Sequence, residues 1–188
     1  MGIIKPAPAA HPFVAIMFST AENRQLVLEH LVGRLGPVME QGVAYRVTDF
    51  TDYYVKEFSE NLQKQFFVFE KPISLEGFGQ IKVWTNQVET EINPAAAGHR
   101  SVNIDPGYLT PAKLVLFSAK NFSHRIYTGS GIFAEVTMLF AHGEFVRLPW
   151  TYNDYYWDVN LKFLYTMRNK IVKIARKNLN DFQNKFKV

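Results

Sequence analysis

Apolar residues in the first half of the chain fall into two kinds of block. Phe13 to Phe18, read F-V-A-I-M-F between Pro12 and Ser19, is short and continuous, as in a strand buried on both faces. Leu26, Val27, Leu31 and Leu35 then recur at three- and four-residue spacing. That period predicts a helix, capped by Ser19 or Thr20 and stopped at Gly36-Pro37. Tyr45 to Phe50 and the aromatic-rich run Gln63 to Phe69 predict two more strands. Ser74 to Glu91 carries Phe78, Ile81 and Val88 at mixed spacing and predicts a second helix ended by Asn93-Pro94, its first turn weakened by Gly77 and Gly79.

From Arg100 the pattern changes to short strands: Ser101 to Ile104, Lys113 to Ala119, His124 to Thr128, Ile132 to Phe140 and Glu144 to Leu148. Asp105-Pro106-Gly107 predicts a turn, since Pro fixes φ and Gly accepts a positive one. Gly129-Ser130-Gly131 and His142-Gly143 predict hairpins, and strands joined so tightly are antiparallel. The chain closes with a predicted helix from about Asp154 to Phe186. Leu161, Leu164, Ile171, Ile174, Ala175, Leu179, Phe182 and Phe186 mark its apolar face, with Lys and Arg elsewhere. The fold class expected is α+β: a single domain over residues 1–188, mainly antiparallel sheet with helices packed on it and a long C-terminal amphipathic helix.

Composition narrows this picture. At 188 residues and 47% hydrophobic the chain is long enough to bury a core, and the absence of Cys removes disulfides, thiolate metal sites and thiol nucleophiles. The longest wholly apolar run, Phe13 to Phe18, is a third of the ~18 residues that suggest a membrane span, and Met1 to Ala10 lacks the apolar core of an export signal. A soluble cytoplasmic protein is the expectation. The net charge of +4 is uneven: Leu161 to Val188 holds eight basic side chains against Asp181, hence +7, leaving −3 for the first 160 residues.

No P-loop, G-x-S-x-G, H-E-x-x-H or G-x-G-x-x-G motif is present. Candidate chemistry lies instead in strands and their ends. In R-S-V-N-I-D-P-G-Y, Val102 and Ile104 facing the core sets Asn103 on the opposite face, with Asp105 at a strand end suited to general-base work or to bonding its own backbone. Lys120, His124 and Arg125 form either an anion clamp or a solvated loop. Glu135 interrupts an apolar strand, sharing a face with Phe133, Thr137 and Leu139. It is either catalytic or paired with Arg125 or His124, because a lone buried carboxylate costs several kcal/mol. Trp150-Thr-Tyr-Asn-Asp-Tyr-Tyr-Trp157 surrounds Asp154 with aromatics that either stack a ligand or plug the space between sheet and last helix. No spacing among these residues is diagnostic of a metal, and both metal and cofactor stay unknown.

The segments W-T-N-Q-V-E (84–89), R-S-V-N-I-D-P-G-Y-L (100–109), S-A-K-N-F-S-H-R-I-Y (118–127), G-I-F-A-E-V-T (131–137) and L-P-W-T-Y-N-D-Y (148–155) occur in that order. Together they resemble a prokaryotic family of about this length, catalogued as a domain of unknown function, whose members are often labelled GTP-binding proteins. The resemblance spans nearly the whole chain, and N-I-D-P-G-Y and H-R-I-Y are its most specific parts. It departs at Asn153, where the family pattern carries proline. The label implies an anionic ligand.

The functional expectation is a site for a small phosphate-bearing ligand, such as a nucleotide, at one edge of the sheet, with hydrolysis or phosphoryl transfer as the reaction. Asp105, His124 and Glu135 are the candidate catalytic groups, and Asn103, Lys120, Arg125, Trp150 and Asp154 the candidate ligand-binding ones. The alternatives are a nucleic-acid binder using the basic C-terminal helix and a non-catalytic scaffold that dimerises through aromatic surface.

Overall fold

A computed structural model describes residues 10–58, 61–93 and 100–185, with side chains to residue 177. Pro94, Phe186 and the N-terminal segment up to residue 9 lie outside it, as do the side chains of Leu179 and Phe182. Nine strands form one antiparallel sheet: β1 (His11–Phe18), β2 (Val38–Gln41), β3 (Tyr45–Arg46), β4 (Gln63–Phe69), β5 (Val102–Leu109), β6 (Lys113–Ser118), β7 (Ile126–Gly129), β8 (Ile132–Ala141) and β9 (Glu144–Arg147). The main order is β2-β4-β1-β5-β6-β8-β7, with β3 beside β4 and β9 beside β8. Helices α1 (Ala21–Leu35) and α2 (Gly79–Ile92) cover one face, and α3 (Asp158–Lys185) lies on the other. The α+β class, the antiparallel sheet and the long last helix follow the hydrophobic pattern. Among the described residues no helix is long and apolar enough to cross a membrane.

The core divides by strand alternation. Val14, Ile16, Phe67, Phe69 and Ile104 pack under α1 and α2, whereas Phe13, Ala15, Phe66 and Val68 meet Leu164, Met167 and Ile171 of α3. Central strands buried on both faces explain the unbroken apolar run of β1. The Thr20 side chain caps α1 by accepting from the Asn23 N–H, and Gly36 leaves the helix at φ +87°. Both two-residue hairpins, Ser130-Gly131 and His142-Gly143, place both central residues at positive φ.

Five expectations are corrected. Tyr45 to Phe50 is a two-residue strand followed by a 3-10 turn at Val47–Asp49, and β2 at Val38–Gln41 precedes it. α2 begins at Gly79 rather than near Ser74, because Gly77 sits at φ +70°. The last helix starts at Asp158, after a 3-10 turn at Asn153–Tyr156. A bulge in β8 opposite Leu114/Val115 shifts its phase, so Met138 enters the core and Leu139 turns outward.

The fifth correction matters most. Asp105-Pro106-Gly107 is not a turn: β5 runs straight through it to Leu109. Its pairing with β1 is continuous from Val102 to Leu109, but its pairing with β6 covers only Gly107–Leu109 against Leu114–Leu116. The sheet therefore forks at Pro106. Along an antiparallel strand the N–H and C=O of alternate residues point to the same neighbour. Thr110 donates its N–H to Lys113 across the hairpin, so Tyr108, Pro106, Ile104 and Val102 also aim at the β6 side. Pro106 has no N–H to give there. Gly107 marks the closest approach, where a β-carbon would stand 2.1 Å from the Val115 carbonyl oxygen.

Replacing Gly107 by Ala drives a methyl into backbone, and we expect a loss of about 3 kcal/mol or more, a fall in Tm of roughly 6–12 °C. Gly33, inside α1 with open space around it, is the contrast: Gly33→Ala should raise Tm by roughly 1–4 °C through helix propensity. Thermal melts by circular dichroism check both signs.

Candidate functional site

The open side of the fork exposes the backbone of β5, and α2 supplies what a strand would have supplied. Glu89 Oε1 accepts the Ile104 N–H at 2.8 Å, and Lys82 Nζ donates to the Ile104 carbonyl at 2.6 Å. One turn on, Asn93 accepts the Val102 N–H and donates to its carbonyl, each at 3.1 Å. Lys82, Thr85 and Glu89 are all buried along one face of α2. Lys82 reaches through the fork to within 3.7 Å of Asp105 Oδ1, on the opposite face of the sheet.

On that face, beyond the N-terminal end of α3, the fork opens into a hollow of about 230 Å³. Asn103 and Asp105 stand on one side, with Ser118, Lys120, Arg125 and Glu135 across from them. Phe50, Tyr54 and Glu57, from the segment after β3, and Tyr152, Asp154 and Tyr155, from the turn before α3, complete the walls. Of the expected site residues, Asn103, Asp105, Lys120, Arg125, Glu135 and Asp154 thus border one space. His124 and Trp150 do not line it. The His124 ring stacks on the Trp150 ring at 4.9 Å, and the Trp150 indole N–H donates to the Val136 carbonyl at the β8 bulge.

Most charges in the walls are committed to one another. Glu135 Oε2 accepts from Arg125 Nε at 2.7 Å and lies 3.0 Å from His124 Nε2, while Thr137 donates to Oε1 at 3.3 Å. Asp154 Oδ2 accepts from both Lys64 Nζ and the Tyr45 hydroxyl at 2.6 Å, and the Lys64 ammonium sits 4.5 Å from the Tyr155 ring centroid. Arg100 joins Glu89 to Glu57 and donates to Asn103 Oδ1 at 3.1 Å. Burial raises the Glu89 carboxyl above the usual range, with Lys82, the Ile104 N–H and Arg100 opposing.

Two groups are different. Asp105 Oδ2 accepts from Asn103 at 2.8 Å, but its Oδ1 makes no hydrogen bond to the described residues. The Lys120 ammonium lies on the far rim, 5.7 Å from the Tyr53 ring, with no carboxylate within 4.0 Å among the described residues. Among the described residues no three His, Asp or Glu side chains come together as metal ligands. Lys64, Lys82, Glu89 and Arg100 were not singled out from the sequence. Their one signal there is polarity at positions whose period is buried, such as Lys64 within Gln63–Phe69.

The chain belongs to the family described as Domain of unknown function (DUF4416), whose pattern matches residues 8–171. No curated protein and no solved structure matches the chain.

Arg125→Ala would leave Glu135, which is 4% exposed, without its guanidinium. It should cost about 3 kcal/mol or more, roughly 6–12 °C in Tm. Thermal melts of the variant measure this directly. The tyrosines give a second test. Burial, joined by Asp154 or Asp105, raises Tyr45, Tyr54, Tyr152 and Tyr155, and burial alone raises Tyr108. These phenols hold protons that the unfolded chain releases near pH ~10, so stability is intact below that pH and falls as pH rises past it. Ultraviolet titration should show these five of the nine tyrosines ionising only as the fold is lost.

Proposed function

We propose that the protein binds a small phosphate-bearing ligand in the hollow at the fork of the sheet. The observation that carries this reading is the contrast between Lys120 and every other cation bordering the space. Lys64, Lys82, Arg100 and Arg125 each have a carboxylate partner, and Lys120 borders the hollow with none among the described residues. A paired guanidinium or ammonium has little charge left for a ligand, whereas an unpaired ammonium at the rim favours an anion. A volume of about 230 Å³ lies below the usual range for drug-sized ligands, so the ligand is of mononucleotide size or smaller. Asp105, with one carboxylate oxygen open to the space, is the group that a proton-transfer step would use. Glu135 and His124 serve the reading as a buried support that fixes the Arg125 wall.

The experiment is a thermal-shift screen of the whole chain against nucleoside monophosphates, sugar phosphates and inorganic phosphate. A ligand at 100 times its Kd adds about 2.7 kcal/mol of stability. Lys120→Ala should weaken any hit at least tenfold while leaving the Tm of the free protein within about 2 °C, because an exposed, unpaired lysine contributes little to folding. Equal affinity in the variant, or no response to any phosphate, refutes the assignment.

A further inference from the structure

The groups the hollow leaves open describe the rest of the ligand as well as its anion. After the ion pairs are formed, the polar atoms still available along the walls are largely neutral. The hydroxyls of Tyr54 and Tyr152 donate to no described residue, whereas Tyr45 gives its hydroxyl to Asp154. Both phenols are held protonated by burial and by the charge of Asp105, so they remain donors through the physiological range. Asn86 and Ser118 add a side-chain amide and a hydroxyl. Opposite Lys120, Asp105 Oδ1 is a carboxylate oxygen without a hydrogen-bond donor among the described residues. A half-buried carboxylate oxygen of this kind is satisfied by O–H or N–H groups, and bonds to a charged acceptor are the stronger ones. A second anion would be repelled there, and an apolar ligand would strand Oδ1 and the Tyr54 hydroxyl without partners. The Phe50 and Tyr54 rings give the same space apolar area.

We infer that the ligand is a phosphorylated polyol, its phosphate at Lys120 and its hydroxyls directed at Asp105 Oδ1, with Tyr54 and Tyr152 bonding the remaining oxygens. This rests on the phosphate reading above and adds the chemistry of the ligand's other end. Asp105 and Lys120 then divide the work: the ammonium selects for charge, and the carboxylate selects for hydroxyl groups. A site built to bond a hydroxyl rejects an analogue without it, because the protein's own polar groups are left unpaired.

Isothermal titration of the whole chain with ribose 5-phosphate, glucose 6-phosphate and phenyl phosphate separates the two ends. Phenyl phosphate has similar bulk and the same charged group but no hydroxyl. At least one sugar phosphate should bind ten times more tightly than phenyl phosphate. Asp105→Ala should remove that advantage while phenyl phosphate affinity stays within threefold, and Lys120→Ala should weaken both ligands together. If Asp105→Ala does not fold, Asp105→Asn, of the same shape, should reduce the advantage at least threefold, and so should Tyr152→Phe. Phenyl phosphate binding as tightly as both sugar phosphates overturns the polyol assignment and leaves the phosphate site standing. So does a preference that survives loss of the Asp105 carboxylate. Silence from all three phosphates removes the phosphate reading itself.

Discussion

The hydrogen bonds that Lys82 donates to the Ile104 carbonyl and Glu89 accepts from the Ile104 N–H are the interaction on which the rest of this structure depends. A sheet that forks leaves N–H and C=O groups facing a gap, and each would cost free energy comparable to a lost hydrogen bond if buried without a partner. Here the gap cannot be closed by a strand, because Pro106 ends the ladder and β6 has already turned toward β8. A carboxylate and an ammonium on one helix face do the job instead. They accept and donate as a neighbouring peptide would, and they neutralise each other while doing so. A buried ion pair of this kind is weak evidence for stability, since desolvation offsets most of its attraction. What it supplies is a partner for each backbone group of Ile104 that faces the opening.

Everything around the hollow follows from keeping that opening polar but electrically quiet. Wall charges occur as neighbours of opposite sign: Lys64 with Asp154, Arg125 with Glu135, Arg100 between Glu57 and Glu89. An unpaired charge at such depth would shift its protonation or disturb the fold. On the exposed rim Lys120 has no carboxylate partner among the described residues, and the half-buried Asp105 keeps Oδ1 free of hydrogen bonds to them, 3.7 Å from the Lys82 ammonium. The second support lies at the β8 bulge. Trp150 and Thr151 bond the carbonyls of Val136 and Thr137, between the stretches of β8 that pair with β7 and β9. That contact seats the turn carrying Tyr152 and Asp154 against the strand carrying Glu135, so two distant segments share one wall.

Several parts of this were legible in the chain. The unbroken apolar run of β1, the spacing of α1 and the Ser130-Gly131 and His142-Gly143 turns each act through neighbours close in sequence, so local pattern identified them. Asn103 fell on the expected face because alternation from Val102 and Ile104 is a property of the strand alone. Asp105-Pro106-Gly107 misled for the same reason. Its local chemistry is that of a turn, and only pairing with β1 on one side keeps it extended. Lys64, Lys82 and Glu89 were invisible as site residues because a charge on an apolar face reads as ordinary until its partner, up to 90 residues away in the case of Asp154, is brought beside it.

By itself the sequence determined the α+β class, the antiparallel hairpins and six of the polar groups that border the hollow, since periodicity and turn chemistry are short-range. Tertiary structure alone decided which of those groups pair with one another and which do not. Pairing depends on distances of a few ångströms between segments that the chain order keeps far apart, and in a low-dielectric wall those distances set whether a charge is available at all.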